Sequence, residues 1–112
     1  MSPEQAMGEA VDGRSDLYSL GVTAFYALTG RLPFEGSNLP AVIHRQVSVP
    51  APRVAAVVQR VPARLAEVVD RCLAKDPAER YQTDEQLAEA LADVAVPRRE
   101  LPAELRALLR GR

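Results

Sequence analysis

His44, Cys72 and Lys75 are the only histidine, cysteine and lysine of the 112 residues. A proton switch, a reactive thiol or a functional amine would therefore have to use one of these three positions. None of them has the company such chemistry needs. His44 falls within a helical pattern and reads as a surface or partly packed side chain, and Cys72 falls on an apolar stripe, where a small buried hydrophobe is expected. Lys75 lies in a late loop, far in sequence from any strand pattern. Asp70, Asp76 and Asp84 do not have the spacing of a metal-binding loop and read as a solvated face. The reactive residue types form no catalytic constellation, so function must be sought in the order of the segments.

Length and composition bound those segments. A chain of 112 residues with 47% apolar and 26% charged residues makes one globular domain with a modest core. A formal net charge of -1 argues against whole-chain attraction to nucleic acid or anionic membrane. Basic residues gather at the end, with Arg98, Arg99, Arg106, Arg110 and Arg112 against Glu100 and Glu104. One cysteine allows no internal disulfide, which fits a reducing compartment. The first residues lack a signal-peptide pattern and no apolar run has the length of a membrane span, so a cytoplasmic location is expected.

The elements read as all-α. Ser2-Pro3-Glu4-Gln5 is a helix start in itself, with Ser2 as N-cap, Pro3 in the first turn and Gln5 completing a capping box. Gly8 and Asp12-Gly13 keep that helix short. Ser15 is expected to cap a second helix running to about Thr29, with Gly30 as its left-handed stop. Between Leu17 and Leu28 only Ser19, Gly21 and Thr23 interrupt the apolar run, which predicts a helix buried nearly all round. So apolar a helix implies packing partners beyond a chain this short.

A loop with Phe34 tucked inward and a turn at Gly36 leads to a third helix capped by Ser37 or Asn38. Leu39, Val42, Ile43 and Val47 form its apolar stripe, and Pro50 and Pro52 end it. Val54 to Val61 reads equally as a turn of helix or an irregular link. Pro62 opens the cleanest amphipathic segment, with Leu65, Val68, Val69, Cys72 and Leu73 on one stripe. Thr83 with Gln86 forms a second capping box, ahead of a helix that turns Leu87, Ala90, Leu91 and Val94 inward. A last short helix is expected over residues 102–110.

The order of the motifs carries a resemblance. Ser2-Pro3-Glu4 is similar to the Ala-Pro-Glu signature that closes the activation segment of protein kinases. Asp16-Leu17-Tyr18-Ser19-Leu20-Gly21 resembles the signature of the central helix that follows, and Leu28-Thr29-Gly30 with Pro33-Phe34 resembles the usual exit from that helix. Leu73-Ala74-Lys75-Asp76-Pro77 through Arg80-Tyr81 resembles the late Asp-Pro and Arg signature. The wording Met-Ser-Pro-Glu-Gln resembles a common form of this motif in bacterial serine/threonine kinases. The chain thus resembles the helical C-terminal portion of the kinase large lobe, a truncated domain over residues 1–96 followed by a basic tail over 97–112.

That resemblance implies three structural anchors and no catalyst. Glu4 would pair with Arg80 in a buried ion pair, Asp16 would hold the backbone of the catalytic loop, and Gly21 would permit close helix packing. Read locally instead, Glu4 and Asp16 each only favour the positive end of a helix, and Arg80 is a solvated charge. Phosphoryl transfer needs a Gly-rich loop, a strand Lys, a catalytic-loop Asp and Asn, and a metal-binding Asp before Phe-Gly. The 112 residues contain none of these. His44-Arg45-Gln46 imitates two letters of the catalytic loop without its Asp, and Val11-Asp12-Gly13 lacks the Phe of the metal signature. No cofactor is expected in this chain, ATP and magnesium belonging to the parent kinase with its protein substrate. The expected partner is the missing N-terminal part of the domain. The other reading is a non-catalytic interaction module whose contact patch is the apolar face of the helix over residues 17–28.

Overall fold

The computed structural model describes residues 2–9, 12–94 and Ala103. Its elements are α1 (Pro3–Ala6), α2 (Gly13–Thr29), α3 (Leu39–Ser48), α4 (Val54–Val57), α5 (Ala63–Cys72) and α6 (Asp84–Ala92), with a 3-10 turn at Pro77–Glu79 between the last two. Among the described residues every element is helical, and the chain is all-α. The expected terminal helix over 102–110 lies outside the described residues apart from Ala103.

The helix ends follow from side-chain chemistry. The Ser2 hydroxyl accepts from the Gln5 amide at 3.3 Å while the Gln5 side chain accepts from the Ser2 amide at 2.7 Å, closing a reciprocal capping box. Gly30 ends α2 with φ 75, a left-handed conformation that suits a residue with no Cβ. The start of α2 differs from expectation. Asp12, not Ser15, is the N-cap, accepting from the Arg14 amide at 2.8 Å. Ser15 lies inside the helix, buried, because its hydroxyl is engaged elsewhere. Asn38 caps α3, accepting from the Ala41 amide at 3.0 Å. Thr83 caps α6, but Gln86 turns to the Gln82 amide at 2.8 Å, so the second capping box is half formed.

The core is built where α2 crosses α5, with α4 and α6 packed against α5. Leu17, Tyr18, Ala24 and Phe25 enter it from α2; Leu65, Val68, Val69 and Cys72 from α5; Val54 from α4; Leu87 and Leu91 from α6. Each fully buried aliphatic or aromatic side chain contributes about 1.5–3 kcal/mol relative to exposure. The stripe read from α5 is the stripe that is buried, and Leu73 joins it just beyond the helix end.

Two helices depart from their sequence patterns. The apolar run of α2 is not buried all round, since Thr23, Tyr26 and Ala27 are exposed and Leu20, Val22 and Leu28 are only half-buried. In α3 the one buried residue is Gln46, while Leu39 is 67% exposed and Val42, Ile43 and Val47 are half-buried. The reason is position: α3 packs against α1 rather than across the α2–α5 core, so its apolar stripe is only partly covered.

Candidate functional site

The most buried polar feature joins the two distant signatures. Ser2 and Pro3 fix the single turn of α1 and aim Glu4 inward, so that Glu4 is buried. Its Oε2 accepts from Arg80 Nη1 at 2.7 Å and from Ser15 Oγ at 2.6 Å, and its Oε1 accepts from Arg80 Nη2 at 3.0 Å. Burial pushes the Glu4 carboxyl up, but the hydrogen bonds from Arg80 and Ser15 outweigh it and hold the group at about 2. It is a fixed negative charge at neutral pH.

Arg80 shows no solvent exposure. It follows the 3-10 turn, whose N-cap Asp76 accepts from the Ala78 amide at 2.9 Å and whose Pro77 favours the tight first turn. Beyond the two bonds to Glu4, Nε donates to the Ala74 carbonyl at 2.8 Å, Nη1 to the Arg14 carbonyl at 3.1 Å and Nη2 to the Lys75 carbonyl at 3.2 Å. All five N–H groups of the guanidinium are thereby satisfied. Its Cζ also lies 4.7 Å from the centre of the Tyr18 ring. A two-pronged pair saturated in this way orients three segments and has no proton to give or take.

Gly21 sits where α2 meets α5. A Cβ built there would stand 2.6 Å from the Cys72 Cβ, so the two helices approach more closely than any side chain would allow. Asp16, in the first turn of α2, is exposed, and among the described residues its carboxylate takes part in no hydrogen bond or ion pair. The structure thus brings Glu4 and Arg80 together, places Gly21 at the helix crossing and leaves Asp16 facing outward.

The reactive residue types are not at this site as catalysts. Burial pushes the Cys72 thiol up to about 12, which keeps it protonated. His44 is exposed on α3. Asp70 Oδ1 accepts from the Val54 amide at 2.9 Å and tethers α4 to α5. No group of three His, Cys, Asp or Glu side chains among the described residues could hold a metal ion. Lys75, the sole lysine, has its Nζ 3.9 Å from the centre of the Phe34 ring and donating to the Gln46 carbonyl.

Three contributors were not visible in the sequence. Ser15 is the third ligand of the Glu4 carboxylate, although a serine near a helix start reads first as a cap. Tyr18 supplies the ring against Arg80, and its buried hydroxyl has no hydrogen-bond partner among the described residues. Gln82 donates to the Arg80 carbonyl at 2.7 Å and accepts from Arg14 at 3.2 Å, clasping the Arg80 segment to α2. No local pattern marks such long-range contacts; only the family spacing around Arg80 could have drawn attention to its neighbours.

The family description "Protein tyrosine and serine/threonine kinase" matches residues 1–91. The chain belongs to this protein kinase family. Serine/threonine-protein kinase Pkn1 of Myxococcus xanthus is 48% identical over 81 residues, which is 72% of this chain and 12% of that protein. Serine/threonine-protein kinase PknL of Mycobacterium tuberculosis is 36% identical over 107 residues, 92% of this chain and 27% of the relative. The crystal structure of the PknI kinase domain of Mycobacterium tuberculosis superimposes with a TM-score of 0.62 at 32% identity, over 82% of this chain and 32% of that one. The kinase-family chain described here thus spans about an eighth to a quarter of the length of these two curated relatives. No helix among its described residues is long and apolar enough to cross a membrane.

Proposed function

We propose that this chain is the helical base of the large lobe of an ATP-dependent serine/threonine protein kinase, and that Glu4 with Arg80 ties the end of the activation segment to that base. The observation that carries this reading is the buried two-pronged pair between α1 and the segment after the 3-10 turn. In it, the first and last kinase-like motifs of the chain meet through the charged members of each. Residues 1–96 belong to the kinase domain and 97–112 to a basic tail outside it. In this reading Asp16, exposed at the start of α2, accepts backbone amides of a catalytic loop supplied by the rest of the domain. Protein substrates, ATP and magnesium are engaged by the whole kinase, in the cytoplasm.

The 112 residues by themselves transfer no phosphate in this reading, because they carry neither the phosphate loop nor the catalytic and metal-binding acids. Incubating the purified chain with Mg-ATP and a generic serine/threonine substrate should give no turnover above background. A chimera in which residues 1–94 replace the matching stretch of a bacterial serine/threonine kinase should phosphorylate that substrate. Turnover by the isolated chain, or a folded chimera without activity, would overturn the proposal.

The reading as an interaction module has less behind it. Tyr26 and Leu32 are 55% and 50% exposed, but Leu17, Tyr18, Ala24 and Phe25 are already taken up by the chain's own core.

A further inference from the structure

Gln46 is the one buried residue of α3, and it is polar. Its amide stands beside the Tyr18 hydroxyl, yet that hydroxyl, on a residue with no solvent exposure, closes no hydrogen bond among the described residues. Buried polar groups almost always have partners, so an orphan next to a buried amide marks a place where a partner has still to come.

The Gln46 side chain forms the polar end of a pocket of about 120 Å³ that opens to solvent between α2, α3 and the loop joining them. The other walls are Val22, Leu32, Pro33, Phe34 and Val42. All five are apolar, so Gln46 is the single polar side chain of the lining. An ordered water needs about two to four polar partners, and these side chains offer it one. An occupant with an apolar body and one polar tip suits the walls better. Volume limits the body: an apolar cavity of roughly 150 Å³ admits benzene, so this smaller but open pocket takes one ring with an edge left outside. The tip faces an amide that both donates and accepts, and a hydroxyl can answer it either way.

The pocket is also held in shape from outside. Lys75 Nζ lies 3.9 Å from the centre of the Phe34 ring and donates to the Gln46 carbonyl. One side chain thereby fixes the aromatic wall and the backbone of the polar end together, so an incoming ring has little left to order.

We infer that the pocket between α2 and α3 binds a phenolic ring, with its hydroxyl on the Gln46 amide and its ring against Phe34, Val22 and Val42. The chemistry is the same for a free small phenol and for a tyrosine side chain. The inference does not depend on the kinase reading, because every lining residue lies within this chain.

The test titrates the 112-residue chain with phenol and with fluorobenzene, a ring of similar size without a hydroxyl, following the NMR signals of the Val22 and Val42 methyl groups and the Gln46 side-chain amide. Phenol should bind with a Kd on the order of 1 mM, as suits a ligand so small. Fluorobenzene should bind about fivefold more weakly, the worth of one hydrogen bond. Gln46→Leu should abolish that preference, and Val42→Phe, which fills the pocket from a half-buried position, should abolish binding of both rings. Shifts that do not saturate, equal affinity for the two rings, or a preference that survives in Gln46→Leu would overturn the inference. Comparison of p-cresol with N-acetyltyrosinamide separates the sources: tighter binding of p-cresol supports a free phenol, and equal or tighter binding of the tyrosine derivative supports a peptide side chain.

Discussion

Glu4 and Arg80, 76 positions apart, face each other through two hydrogen bonds of 2.7 and 3.0 Å, with side chains that are 6% and 0% exposed. Removing one member leaves the other charged and buried, which costs about 3–5 kcal/mol. That is a large share of the total stability of a domain this size. Arg80→Leu and Glu4→Gln should each lower the urea midpoint sharply, and the double variant should be less unstable than the sum of the two. Single variants within about 1 kcal/mol of wild type would refute the coupling.

Acid should act through the same carboxylate. Its folded value of about 2 lies below its ordinary value of 4.5, so the folded state binds the proton less readily than the unfolded chain. The stabilisation is therefore complete above pH 4.5 and is lost as pH falls toward about 2. The stability gap between wild type and Glu4→Gln, measured by urea unfolding, should narrow across that window. A gap that stays constant down to about pH 2.5 would contradict the assignment.

Gly21 and Gly13 lie in the same helix and should respond oppositely to alanine. At Gly21 the new methyl meets Cys72 at 2.6 Å, and separating α2 from α5 should cost about 1–3 kcal/mol. At Gly13 nothing lies within 4 Å, and the loss of unfolded-state freedom should make the change neutral or stabilising by about 0.5 kcal/mol. Thermal unfolding of both variants checks the contrast, and equal shifts would remove the close-approach argument.

Asp16 separates a folding role from a functional one. Its carboxylate is exposed, so Asp16→Ala should change the stability of the isolated chain by no more than about 1 kcal/mol, the worth of an acid near a helix N-terminus. In the active chimera the same change should lower turnover at least about tenfold, as expected if the carboxylate positions a catalytic loop. A chimera that tolerates it fully would leave Asp16 as a helix-end charge.

Much of this arrangement was legible before any coordinates. Ser2 with Gln5, Gly30 and the α5 stripe are set by contacts within a few residues, and such contacts leave local patterns. The order of motifs identified the family because each retains its own residues at family-like spacing. What escaped was decided at long range. Ser15 could not be told from a cap without knowing that a carboxylate would arrive from eleven residues earlier. Leu39 lies exposed although it belongs to the apolar stripe of α3, because periodicity reports which residues share a face, not what that face meets.

The single turn of α1 is too short to persist as a helix by its own hydrogen bonds. A turn this short ordinarily opens and closes on its own, far below the free energy of global unfolding. Here it cannot open without withdrawing Glu4 and stranding a guanidinium that also holds the carbonyls of Ala74, Lys75 and Arg14. Local fraying is thereby converted into cooperative unfolding, and the loop that brings the two partners together spans most of the chain. Closing so long a loop is a late, entropically demanding event. This turn is thus among the last parts to fold and, once docked, among those that open only with the whole.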